Sequence, residues 1–131
     1  IDIPVYTRTI LIPIDDIQLL PDILSSIMRH NPEGVETFDN NTFMHAKKFL
    51  PADCTRIAHF FSKGEKLLVL AQFSESTQNE TDTIAHKAIL ELKQRHPLSR
   101  AEYVSDVSIV TSAWNIRRSS GGRRRWCGRS P

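Results

Sequence analysis

Trp114 and Arg117 are the residues whose types and spacing best fit a chemical role. On a helix they would share one face with Val107 and Val110, because the steps of three and four residues match the helical period. If that face packs inward, the guanidinium of Arg117 lies at the rim of the core. There its fork of N–H donors can bind a carboxylate through two parallel hydrogen bonds. The alternative is a solvated arginine at a helix C-terminus, stabilised by the helix dipole.

Other residue types give weaker indications of chemistry. Cys54 fits a loop cysteine better than a nucleophile. Glu36 and Asp39 at the end of a strand could suggest acid–base work, but capping the next helix is a simpler role for Asp39. The histidines show no HxH or HExxH spacing, so we expect no metal site. The five histidines are His30, His45, His59, His86 and His96.

Glycines are scarce in the body of the chain. Three of the five lie in residues 121–131, and the others are Gly34 and Gly64. Neither belongs to a glycine-rich loop that precedes a helix, which is the arrangement that holds phosphates. We therefore expect this chain to bind no nucleotide cofactor by itself.

The charge distribution separates residues 121–131 from the rest. Residues 1–116 hold 11 basic and 15 acidic residues, a net charge of −4, whereas 121–131 are rich in arginine and glycine. This composition favours a non-native or disordered basic tail, with a nucleic-acid-binding arm as the alternative. Because the body is acidic, we expect no nucleic-acid partner. We also expect no transmembrane segment and, with no secretory signal and two cysteines, a cytoplasmic location.

The apolar patterns predict four strands and four helices in alternation. Strands are expected over residues 5–14, 34–38, 66–74 and 101–104, and helices near 20–31, 39–47, 77–96 and 105–117. Pro51 is expected to end the second helix, with a loop up to Phe61. Two strand-helix-strand units in series predict an α+β, ferredoxin-like fold, in which helices cover one face of an antiparallel sheet.

Three segments resemble a known family. Residues 32–39 are similar to its strand that enters a helix through an acidic cap, residues 67–73 to its central strand, and residues 113–120 to its Trp-x-x-Arg helix end. On these motifs, residues 22–120 resemble the C-terminal cap domain of FAD-linked oxidases of the vanillyl-alcohol oxidase type. That group includes D-lactate and D-2-hydroxyglutarate dehydrogenases and the glycolate oxidase flavin subunit.

The resemblance implies a function and a set of partners. Residues 1–120 would be part of the substrate-side cap of an FAD-dependent oxidoreductase that acts on a small 2-hydroxy acid. FAD would be held by an FAD-binding domain of the same parent, and the isolated chain would be an inactive fragment without cofactor. By position, Arg117 would bind the substrate carboxylate. Arg118 is a weaker candidate, because relatives often have an acidic residue there.

A different class of function stays open from the sequence. The chain could be a stand-alone ferredoxin-like module that binds or oligomerises without catalysis. A homodimer would then form by pairing the open sheet face of one copy with that of another.

Overall fold

A computed structural model describes residues 6–120 of the chain. Two short 3-10 helices span Ile17–Leu19 and Ala58–Phe61. The strands are β1 (Tyr6–Ile14), β2 (Gly34–Asp39), β3 (Leu67–Glu75) and β4 (Glu102–Val104), and the helices are α1 (Leu20–Met28), α2 (Asn40–Ala46), α3 (Pro51–Ile57), α4 (Gln78–Arg95) and α5 (Val107–Ser119). The predicted tail, residues 121–131, lies outside this described part.

The four strands form one antiparallel sheet in the order β2-β3-β1-β4. The central pair runs in register from Tyr6 opposite Glu75 to Ile14 opposite Leu67. Both strands are rich in β-branched and aliphatic residues, which suits strands covered on both sides. This order and the two strand-helix-strand units confirm the α+β, ferredoxin-like fold.

Helices cover both faces of the sheet. Successive strand residues point to opposite faces, so Ile10 and Ile12 pack in one core with α1 and α4, whereas Leu11 packs in another with α2, α3 and α5. The prediction that helices cover only one face therefore needs correction. Helices α2, α3 and α5 form a second layer, which the sequence patterns did not separate from the layer of α1 and α4. The homodimer expected through an open sheet face loses its structural basis, since residues 6–120 leave neither face open.

Side-chain caps begin three of the helices where the sequence predicts them. Asp39 accepts a hydrogen bond from the Thr42 N–H at 2.8 Å, which starts α2. The Thr77 hydroxyl accepts from the Glu80 N–H at 3.1 Å to start α4, and Asp106 caps α5 in the same way. Each cap satisfies a backbone donor that the helix cannot, which fixes the start of the element.

The prediction of a loop before Phe61 is wrong, because residues 51–61 are helical. Pro51 begins α3, whereas α2 already ends at Ala46. The first turn of a helix suits the fixed φ and the missing N–H of proline. Cys54, Ile57 and Phe60 follow at steps of three residues and are buried. Cys54 is therefore a helical core residue and not a loop cysteine.

The buried stripe of α5 differs from the predicted one. Val107 is 76% exposed, and the buried residues are Ser112, Ala113, Ile116 and Arg117. The stripe is displaced because α5 packs against α3 as well as against the sheet, and α3 was not predicted. Within residues 6–120, no helix is long and apolar enough to cross a membrane.

Candidate functional site

The guanidinium of Arg117 lies inside the domain, against a carboxylate of the sheet. The Arg117 side chain is 6% exposed, and its Nε lies 3.3 Å from Oε1 of Glu36. Its Nη1 also donates to the Ser120 hydroxyl at 3.2 Å. The carboxylate that Arg117 meets in this structure is thus supplied by β2 of the same chain.

The alternation of β2 explains why Glu36 meets α5. Glu36 and Phe38 point to the same face of the sheet, because side chains two positions apart in a strand share a face. Phe38 packs in the core that also contains Ala113 and Ile116 of α5. The helix therefore lies over β2, and its next buried position, Arg117, comes within reach of Glu36.

Beside this ion pair lies a cavity of about 490 Å³, which we call the α5 cavity. The sheet contributes Glu36 and Gln72 to its lining, and α5 contributes Val110, Thr111, Trp114 and Arg118. Its volume lies within the range of small-ligand sites, roughly 300–1,000 Å³.

The polar groups of the α5 cavity differ in how they are held. The Gln72 amide donates to the Glu33 carboxylate at 2.8 Å, which fixes one wall. Arg118 is exposed, and its Nη2 donates to the Asn115 side chain at 2.8 Å, one turn away on α5. A guanidinium carries five N–H donors, so Arg118 can contact an anion in the cavity while it keeps the Asn115 contact.

The two predicted carboxylate-binding residues therefore occupy different environments. Arg117 is buried on the sheet side of α5, and Arg118 lies on the cavity side. Of the two alternatives for Arg117, the solvated helix-end arginine is excluded by its burial. Contact between either residue and a substrate stays a prediction.

The histidines are spread over the domain as separate pairs. His30 lies 2.5 Å from Glu91 and His96 lies 2.6 Å from Asp22, so both connect α1 or the turn after it to α4. His59 pairs with Glu102 on the surface, and the rings of His86 and His45 contact Tyr103 and Phe49. Over residues 6–120, no three His, Cys, Asp or Glu side chains are grouped so as to hold a metal ion.

Cys54 lacks the environment of a reactive thiol. Its side chain is buried, and its sulfur lies 3.7 Å from the Phe43 carbonyl oxygen. Burial raises the pKa of the Cys54 thiol, with a smaller contribution in the same direction from Asp53 and an opposing one from Lys47. The thiolate, which is the nucleophilic form, is therefore disfavoured.

Two groupings of polar residues were not predicted from the sequence. Glu36 and Gln72 were not connected with Arg117 and Arg118, although their position on alternate sites of strands facing α5 was a usable signal. Tyr103 was not singled out at all. Its hydroxyl contacts Asp82 and accepts from Arg8 Nε at 2.8 Å, and burial, followed by the Asp82 hydrogen bond, raises the pKa of Tyr103.

Fold and site together define a ferredoxin-like α+β domain in which α5 carries one arginine into the core and one to a small cavity. A profile of the family described as "FAD linked oxidases, C-terminal domain" matches residues 3–130. The chain belongs to this family, and it is accordingly identified as part of an FAD-dependent oxidoreductase. The match extends beyond residues 22–120 at both ends. A search of curated proteins gave no match.

Residues 6–120 do not fit a whole FAD molecule. Gly34 lies at the start of β2, and Gly64, with φ of +80°, lies in the turn before β3. Neither glycine leads into a helix whose N-terminus could hold the pyrophosphate. The family implies an FAD-binding domain in the parent protein.

Proposed function

We propose that the parent protein is an FAD-dependent oxidoreductase that acts on a 2-hydroxy acid of the lactate or glycolate kind. Residues 1–120 would form part of its substrate-side cap, and the family match continues through residue 130. The observation that carries the proposal is the position of Arg118. It lines a cavity next to Trp114, on the surface of a domain whose family works with FAD.

Arg118 and Arg117 have separate roles in this proposal. Arg118 contacts the substrate carboxylate, because its guanidinium is exposed and lines the α5 cavity. Arg117 is a positioning residue: its contact with Glu36 ties the C-terminal turn of α5 to β2 and thereby holds Arg118 over the cavity. The family resemblance favours Arg117 for the carboxylate, and we reverse the order because Arg117 already meets a carboxylate of its own chain.

The chemistry is divided between the chain and its cofactor. FAD, when bound by the parent, supplies a hydride acceptor. The residues of this chain bind and orient the acid and exclude water from one side of it. The isolated chain would then be catalytically inactive. A reducing, cytoplasmic location fits the buried free thiol of Cys54.

The proposal can be tested by anaerobic flavin reduction in the parent protein. A 2-hydroxy acid such as lactate is compared with the diol that has the same carbon skeleton but no carboxylate. We expect the acid to bleach the flavin absorbance at least about 100-fold faster at equal concentration, because charge-assisted hydrogen bonds favour the anion. Equal rates for the acid and the diol, or no reduction by any 2-hydroxy acid, would contradict the proposal.

A further inference from the structure

A second cavity lies on the opposite face of the sheet from α5. Its volume is about 450 Å³, and it lies where β1 and α4 end and α1 begins, so we call it the α1–α4 cavity. It shares no lining residue with the α5 cavity. A ligand in it would be separated from α5 by the sheet.

The walls of the α1–α4 cavity are largely apolar. Ile14 at the end of β1 and Ile23 in α1 are buried in the core beneath it, and Leu19 and Leu98 border it while they are 40% and 95% exposed. Exposed aliphatic side chains at the edge of a cavity suit a ligand with an apolar body, because such a body would remove them from water.

Two arginines provide the positive charge of the cavity. The Arg95 side chain is 37% exposed, and its Nη2 lies 2.7 Å from Oδ1 of Asp22. Arg100 is 36% exposed and pairs through Nη2 with Glu65, a carboxylate that is only 4% exposed. Both contacts engage Nη2, so further N–H donors of each guanidinium are available to an anion.

Acidic residues also line this cavity: Glu65, which pairs with Arg100, and Asp15 and Asp16, which follow β1. Asp16 already accepts a hydrogen bond from the Gln18 N–H at 3.0 Å, and Asp15 beside it is exposed. Their charges disfavour an anion near the start of α1. A carboxylate would therefore bind beside Arg95 and Arg100 and not beside Asp15 and Asp16, in competition with the partners Asp22 and Glu65.

We propose that the α1–α4 cavity is a binding site for a small carboxylic acid with an apolar body. The carboxylate lies between Arg95 and Arg100, and the apolar body contacts Leu19, Ile23 and Leu98. The site is distinct from the α5 cavity and does not depend on the function proposed above. A ligand of this class would contact the domain on the side of the sheet away from Arg118.

Octanoate is a suitable probe, with octylammonium as the probe of opposite charge. Each is titrated into the ¹⁵N-labelled 131-residue chain, and binding is followed by amide chemical shifts. We expect saturable octanoate shifts at Leu19, Arg95 and Leu98, and octylammonium binding at least about tenfold weaker. Shifts centred on α5, equal affinities for the two probes, or no saturable shift would overturn the proposal.

Two pairs of variants test the site against a general effect on the fold. Arg95→Gln should weaken octanoate binding about tenfold, whereas Arg56→Gln, an exposed arginine on α3 that also pairs with an aspartate, should leave it unchanged. Arg100 is left intact because its loss would remove the partner of the buried Glu65. Leu19→Trp should block the cavity, with Leu90→Trp on the exposed side of α4 as its control. Equal effects within either pair would overturn the proposal.

Discussion

Removing the carboxylate of Glu36 tests whether its contact with Arg117 holds α5 on the sheet. The Arg117 and Glu36 side chains are 6% and 17% exposed, so the pair is largely out of water. Losing one partner of a buried pair costs about 3–5 kcal/mol of the free energy of unfolding. Because Glu36 keeps some exposure, we expect Glu36→Gln to lower this free energy by about 3 kcal/mol. For a chain of this size that free energy corresponds to a fall in Tm of about 10 °C.

The assay is urea unfolding of four proteins: the unchanged chain, Glu36→Gln, Arg117→Met and the double variant. Because the two side chains contact each other, we expect a coupling free energy of about 2 kcal/mol in the double-mutant cycle. Glu102→Gln is the matched control. Glu102 pairs with His59, but both side chains are about half exposed, so its loss should change the free energy of unfolding by less than about 1 kcal/mol.

The reasoning would be refuted by additive single variants. A coupling free energy below about 0.5 kcal/mol would mean that Glu36 and Arg117 do not stabilise each other. An effect of Glu36→Gln no larger than that of Glu102→Gln would lead to the same conclusion. In either case Arg117 would not be a positioning residue for the last turn of α5.

Three further predictions concern single side chains. Burial and a carboxylate hydrogen bond raise the pKa of Tyr103, so this tyrosine should ionise above its usual range in a near-ultraviolet titration, and Tyr103→Phe should remove that late step. Its contribution to stability should be complete below the usual tyrosine pKa and be lost as the pH rises through the raised value. Since burial also raises the pKa of Cys54, alkylation of that thiol in a Cys127→Ser background should be at least about 100-fold slower in the folded chain than in urea. Thr77→Ala should lower the free energy of unfolding by about 1 kcal/mol through the lost cap, and an effect equal to that of Ser76→Ala would contradict this.

Local signals in the sequence were sufficient for the sheet and for most helices. The caps at Asp39, Thr77 and Asp106 act over two or three residues, so their side chains and backbone partners are adjacent in the sequence. The strand β3 was equally predictable from the sequence, because a strand that is covered on both faces is apolar along most of its length. Elements whose determinants are local were therefore predicted close to their observed bounds.

Elements that depend on distant contacts were predicted less well. The seven residues of α3 have little periodicity of their own, and the helix is stabilised by packing between α2 and α5. Without α3, the sequence pattern placed Val107 in the buried stripe of α5 and gave no reason to bury Ser112. One missed short helix thus changed which side of α5 faces the core.

The candidate site was predictable only in part. The Trp114-to-Arg117 spacing placed Arg117 on the inward face of α5, but it did not identify the carboxylate that Arg117 contacts. Glu36 is 81 positions away from Arg117 and comes near it only through the strand order β2-β3-β1-β4. Contacts of this kind are set by the tertiary fold and leave no local pattern.

The most direct test of the proposed function is the kcat/KM of the parent protein carrying Arg118→Gln. We predict that kcat/KM for the 2-hydroxy acid falls about 10- to 100-fold, because a charge-assisted hydrogen bond to the carboxylate is lost, while flavin content and activity on the matching diol stay unchanged. Arg29→Gln, which alters an exposed arginine next to α1, should leave both substrates unaffected. A change of less than about twofold for the acid in Arg118→Gln, or equal losses for the acid and the diol, would contradict the assignment of Arg118.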